Sequence, residues 1–202
     1  MKNAIYPILL IILATLSAIA QDPDNNGNAL NFPFRKYGIS IGNSHEFSGL
    51  RINLINKNVE KINGLNITGF GGENNMDARL TGVNVSAFQM AGKMQFVNLG
   101  ILGMMADELN GISAGDLLVG AIDQMNGFSA SGLVTMVEGG DMTGAALSGL
   151  MIFTEDNDAD IRGLAVAGLL IACDGGINGL PASLMIYSAN NINGVALGPA
   201  II

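Results

Sequence analysis

Apolar residues recur along this chain at fixed offsets from a glycine. Aligned on that glycine, the segments read GLRINLINKN from 49, GLNITGFGG from 64, GVNVSAFQM from 82 and GISAGDLLVG from 111. GFSASGLVTM follows from 127, GAALSGLMIF from 144, GLAVAGLLIA from 163, GLPASLMIY from 179 and GVALGPAII from 194. GISIGNS, from 38, opens the set, and a degenerate copy, QFVNLGILGMM, spans 95–105. From Gly49 onward the glycine spacings are 15, 18, 29 (two units), 16, 17, 19, 16 and 15, a mean near sixteen. The position two before each glycine is apolar: Phe47, Ile62, Leu80, Leu109, Met125, Met142, Ile161, Ile177 and Ile192. The position just before it is usually Asn or Thr, as at Asn63, Thr81, Asn110, Asn126, Thr143, Asn178 and Asn193. A second glycine often falls five later, at Gly69, Gly132, Gly149 and Gly168.

Alternation within Gly-Leu-x-Val/Ile-x-Gly is the period of a strand. Asn-Gly and Gly-Gly are turn chemistry, because these residues accept positive φ at low cost. Each unit therefore predicts one or two short strands with tight turns. A lone unit cannot bury its apolar face, so units must stack. The fold class is all-β, a β-solenoid of ten to eleven short coils with a period of about sixteen residues. The alternative is an up-and-down β-barrel, whose outer-membrane form would be a small pore or other membrane-associated protein and whose natural period is a hairpin of about twice that length. The single-unit period and the few aromatics favour the solenoid. Its faces would be about 15 Å wide and the rod roughly 50 Å long. The aliphatics of each unit, Leu164 and Val166 among them, are expected to point inward. The small residues between them (Ser129, Ser131, Ala145, Ala165, Ala167) face either a second packed layer or a smooth exterior.

The ends differ from the repeat. Residues 1–20 have Lys2, an apolar run from Ile5 to about Leu16, and Ala18-Ile19-Ala20, the pattern of a secretory signal peptide cleaved before Gln21. Residues 21–37 form an N-terminal leader or cap, in which Phe32 and Phe34 are placed to tuck over the end of the core. Residues 38–202 are the repeat domain. Pro181 and Pro199 fall in the last two coils, where a missing ladder donor suits an edge.

Charge and cysteine content narrow the function. The chain has 9 basic and 17 acidic residues. That balance excludes nucleic acid and anionic lipid as electrostatic partners. Cys173 is the one cysteine, so no internal disulfide staples this exported chain, and the thiol reads as a buried small hydrophobe.

The block YGISIGNSHEFSGLRINLINKNVEKINGLNITGF (37–70), with the later GLxVxGL units, resembles an uncharacterised family of bacterial exported repeat proteins common in Bacteroidetes, built of Gly-Leu-x-Ile-Gly-Leu units. The resemblance covers residues 37 to about 200. It implies a surface-exposed or outer-membrane-associated location and supplies no catalytic residues.

Candidate chemistry is sparse. GISIG at 38 and GISAG at 111 match the Gly-x-Ser-x-Gly nucleophile pattern, with Ser40 and Ser113 at its centre and His45 the one histidine. The repeat itself generates that match whenever x is Ser, and no strand-turn-helix accompanies it. Asp156, Asp158 and Asp160 offer alternating oxygens to Ca²⁺, but Ile161 stands where the loop needs Gly and no Glu occupies the twelfth position. The segment reads as a solvated acidic turn, like GGENNMD at 71–77. Asn66 and Asn84 fit the glycan-acceptor pattern by chance, within strands. No catalytic residue, cofactor or metal site is therefore assigned. The expected function is a non-enzymatic exported repeat protein, structural or adhesive at the cell envelope, with a protein or envelope partner.

Overall fold

From Tyr37 onward the strands pair with one another in parallel, and equivalent residues stack. The computed structural model describes residues 27–34 and 36–202; the expected signal peptide, residues 1–20, and the start of the expected leader lie outside the described residues. The strands are β1 (Gly27–Phe34), β2 (Tyr37–Ser44), β3 (Glu46–Asn56), β4 (Lys61–Gly71), β5 (Arg79–Gly115), β6 (Leu118–Ser131), β7 (Val134–Val137) and β8 (Met142–Ser148). They continue as β9 (Met151–Thr154), β10 (Ile161–Ala167), β11 (Leu170–Cys173), β12 (Ile177–Ala182), β13 (Met185–Ser188), β14 (Ile192–Gly194) and β15 (Ala200–Ile201). One 15-stranded sheet runs β1 to β6 and then forks. One branch is β7-β9-β11-β13-β15 and the other is β8-β10-β12-β14. These branches are the two sides of a β-solenoid of about ten turns. A barrel of antiparallel neighbours is incompatible with this register.

The glycine column sets the winding. Gly38, Gly49, Gly64 and Gly82 are in register, as are Gly111, Gly127, Gly144, Gly163, Gly179 and Gly194. Each has positive φ, 118° at Gly144 for instance, and a Cβ there would overlap a backbone carbonyl oxygen, that of the glycine one turn back at all but Gly38, which faces Phe32, and Gly111, which faces Phe96. Only a residue without a side chain takes that bend cheaply. The degenerate copy completes the column. Phe96 adopts φ 80°, its carbonyl underlies Gly111, and its side chain is 66% exposed.

Three inward columns make the core. Two before the glycine stand Phe47, Ile62, Leu80, Met94, Leu109, Met125, Met142, Ile161 and Ile177, all buried. Across from them Met104, Val119, Thr135, Ile152, Ile171 and Ile186 stack in register. Two after the glycine the buried residues are small or polar: Ser40, Asn66, Asn84, Asn98, Ser113, Ser129, Ala146 and Ala165, with Arg51 among them.

This reverses the expected faces. Leu164 is 39% exposed and Val166 is half-buried, whereas Ala165 and Ala167 are buried between and beside them. The strand period counted from buried Ile161 requires this order. Large residues at Ile161 and Ile171 fill the narrow interior, so the position two after the glycine must be small. Ser129 likewise points inward, while Ala145 and Ser131 are only half-buried.

The first strand also departs from expectation. β1 runs antiparallel to β2, from Gly27↔Ser44 to Phe34↔Tyr37, and Phe32 is 74% exposed rather than tucked over the core. Pro181 is buried within β12, opposite Ala165, and its carbonyl accepts the Leu197 amide at 2.9 Å, so it does not mark the edge.

Candidate interaction surface

Side chains on the two sides of each strand divide unusually. Polar groups lie inside the rod, where they bond to one another. Asn84 Nδ2 donates to Asn98 Oδ1 at 3.0 Å, and Asn98 Nδ2 to Ser113 Oγ at 3.3 Å. Asn66 is the neighbour of Asn84 on the preceding turn, and Asn66 Nδ2 and Asn84 Oδ1 are the two atoms of this ladder left unpartnered. On the other inner wall Thr154 Oγ1 donates to Cys173 Sγ at 3.3 Å, and the thiol reaches the Ala159 carbonyl at 3.3 Å. Burial pushes the Cys173 thiol up from its ordinary value.

Arg51 occupies the same inward column as Asn66 and is fully buried. Its Nη1 donates to Asn56 Oδ1 at 2.7 Å and Asn66 Oδ1 at 2.9 Å, its Nη2 to Asn43 Oδ1 at 3.2 Å, and its Nε to Ser44 Oγ at 3.1 Å. Amide and hydroxyl oxygens thus solvate the guanidinium, and burial lowers its pKa to about 10. Nothing in the composition of this segment marks the network, yet position alone places it: Arg51 stands two after Gly49, where other turns bury Asn, Ser or Ala. Asn75, in the 3₁₀ turn Glu73–Asn75 of the polar segment 71–77, is also buried rather than solvated. Its Oδ1 accepts the Val59 amide at 3.1 Å and its Nδ2 donates to the Asn56 carbonyl at 3.2 Å.

Apolar side chains take the outside. One after the glycine come Ile39, Leu65, Val83, Ile112, Phe128, Leu164, Leu180 and Val195, all exposed by more than a third. Three after it, Ile41, Ile52, Ile67 and Leu99 are exposed, and Leu147 and Val166 half-buried. At the corner joining the two sheet branches, Leu117, Leu133, Leu150, Leu169 and Leu184 form an exposed leucine ridge. Amide-to-carbonyl bonds link successive members, as from Leu150 to Leu133 and from Leu169 to Leu150. The opposite branch adds Met151, Phe153, Leu170, Met185 and Tyr187 on its outer side. Where Ala114 and Ala130 replace larger side chains, the surface dips into an open groove of about 670 Å³ walled by Val85, Leu99, Leu147 and Val166.

Charges collect on the remaining edge. Among the described residues beyond Tyr37, every acidic and basic side chain except Arg51 and Asp116 lies in a segment leading into a column glycine or, for Lys93, into Phe96. Lys93 pairs with Glu108, and Arg162 bridges Asp141 at 2.7 Å and Asp160 at 3.0 Å. Lys93 holds the Glu108 carboxyl below its ordinary value. Partial burial, then the charges of Asp123, Asp77 and Glu108, push Asp107 up. Asparagines ladder beside this edge, with Asn126 Nδ2 donating to Asn110 Oδ1 at 3.1 Å and Asn193 Nδ2 to Asn178 Oδ1 at 3.0 Å.

The residues singled out for chemistry are not assembled by this fold. Ser40 and Ser113 are sealed inside, the first donating to Ser44 Oγ at 3.1 Å. No hydrogen bond joins the His45 ring, half-buried in a turn, to either serine among the described residues. Asp156 Oδ1 accepts the Asp158 amide at 3.2 Å within its own turn. Asp160 faces the next turn, accepting the Gly176 amide at 2.8 Å and Asn178 Nδ2 at 3.3 Å. The Gly176 amide, with Arg162, holds the Asp160 carboxyl below the usual range. Among the described residues no three His, Cys, Asp or Glu side chains converge as a metal-ligand set. No family model, no curated protein and no solved structure matches this chain.

Proposed function

We propose that this chain is a non-enzymatic exported repeat protein whose surface serves a structural or adhesive role at the bacterial cell envelope. The observation that carries the reading is the division of the exterior, aliphatic on both sheet branches and their leucine corner, ionic on one edge. Such contiguous apolar surface on a regular scaffold marks an interaction face rather than a solvated wall. The signal-peptide pattern of residues 1–20 and the resemblance of residues 37–200 to exported repeat proteins support the compartment. Burial of Ser40 and Ser113 in the ladder supports a non-enzymatic role, because neither hydroxyl reaches a substrate without opening the rod.

Fractionation of a Gram-negative host expressing the full chain tests the assignment. The protein should be recovered with envelope fractions, trimmed near Gln21, and deletion of residues 2–20 should retain it in the cytoplasm. Recovery of the intact chain as a cytoplasmic protein would overturn the reading.

A further inference from the structure

Resting on that envelope reading, we propose that the leucine ridge and the two sheet faces flanking it are inserted into the hydrocarbon of one bilayer leaflet, with the rod axis in the membrane plane and the charged edge in water.

The shape of the apolar surface selects this occupant. It covers two opposed faces and wraps the convex ridge of Leu117, Leu133, Leu150, Leu169 and Leu184 between them. One face, about 15 Å by 50 Å, is roughly 750 Å² from strand and rung spacings. That would suffice for a pairwise protein interface of standard size. A second copy seated on one face, however, leaves the opposite face and the ridge bare. Acyl chains cover both faces and the ridge at once.

Depth agrees with the same occupant. From the column glycine to the ridge is six residues, about 20 Å or less once the chain bends. A leaflet's hydrocarbon is about 15 Å, half of the roughly 30 Å core. The ionic segments all lie on the far side of the glycine column, at the level of the headgroups and water. Backbone groups on the buried faces are paired from turn to turn, the condition hydrocarbon imposes. The polar side chains that a water-soluble strand would show outside are turned into the ladders of Asn84, Asn98 and Ser113. Asp116 is the one carboxylate on the ridge, exposed beside Leu117, and it is where insertion is opposed. The acidic edge gives no attraction to anionic headgroups, so insertion is driven by apolar burial and is insensitive to salt.

The test uses the full secreted chain and phosphatidylcholine vesicles. The protein should float with the vesicles equally at low and high salt. Asp116→Asn should raise the bound fraction, and Leu150→Glu with Leu169→Glu should lower partitioning by roughly tenfold or more, with an unchanged circular dichroism spectrum. The chain has no tryptophan, so indoles introduced singly report depth. Brominated acyl chains should quench Leu133→Trp on the ridge and leave Asp123→Trp on the charged edge unquenched. Failure of the unmutated chain to float, or equal quenching at both positions, would overturn the proposal. A defined dimer in buffer with no vesicle binding would also overturn it, placing a second copy on the face. That result leaves the envelope assignment standing, whereas cytoplasmic retention in the fractionation experiment removes the assignment itself.

Discussion

The glycine column and its one exception put a value on backbone conformation. Gly127 has φ 111°, and a Cβ there would overlap the Gly111 carbonyl oxygen. Gly127→Ala should therefore cost the strain of an unfavourable conformation, about 1–3 kcal/mol, plus whatever the ladder loses in moving aside. Phe96 already bears that strain at φ 80°, and its side chain buries little in return. Phe96→Gly should leave the urea midpoint unchanged or raise it, although it deletes an aromatic ring. Urea unfolding of the two variants checks the pair. A loss at Phe96 equal to that at Gly127 would mean that the ring, not the backbone, matters there. The column was legible because glycine has one steric signature and recurs. Phe96 was not, because a bulky residue at positive φ has no sequence signal apart from its place in the count.

The strands teach a different lesson about what patterning reveals. Alternation fixed which residues share a side, and the register of Leu164 with Ala145 and Leu180 follows the alignment made on glycines alone. What alternation does not fix is which side faces in. Hydrophobicity suggested the Leu164–Val166 side, and burial chose the Ala165–Ala167 side. The deciding quantity is volume. Ile161, Ile171 and Ile177 already fill the interior, and a leucine two after the glycine would overpack it. The same rule places Arg51 inside, since the period leaves it no other side. It also separates two substitutions. Leu164→Asp together with Val166→Asp should change the stability in aqueous buffer by no more than about 1 kcal/mol, as surface changes do. Ala165→Asp buries an unpaired carboxylate at a site without room and should cost at least about 3 kcal/mol. Thermal melts followed by far-ultraviolet circular dichroism distinguish the outcomes. If Leu164→Asp unfolded the chain and Ala165→Asp did not, the faces would be as hydrophobicity alone implies.

Because each turn touches only the turns before and after it, the rod behaves as a one-dimensional array, with stability the sum of turn and interface terms. Such an array has a property that a closed sheet lacks, namely that an interior turn can be removed without leaving a gap. Met125 pairs with Met142, Gly127 with Gly144 and Ser131 with Ser148, so deletion of residues 128–144 joins Gly127 directly to Ala145 in the same register. The flanking turns then meet through columns of matching kind: Gly111 under Gly127, Ser113 under Ala146, Val119 under Ile152. The shortened chain should fold, keep its β spectrum, and lose about 4.8 Å of length by small-angle scattering. Its denaturant slope should fall by roughly a tenth, in proportion to the surface one turn buries. Stability should drop by less than the loss of a core element would cost, since the new interface replaces the two removed. Should the deletion unfold the molecule, the turns would be individually fitted rather than interchangeable, and the repeat would record ancestry without governing the present packing.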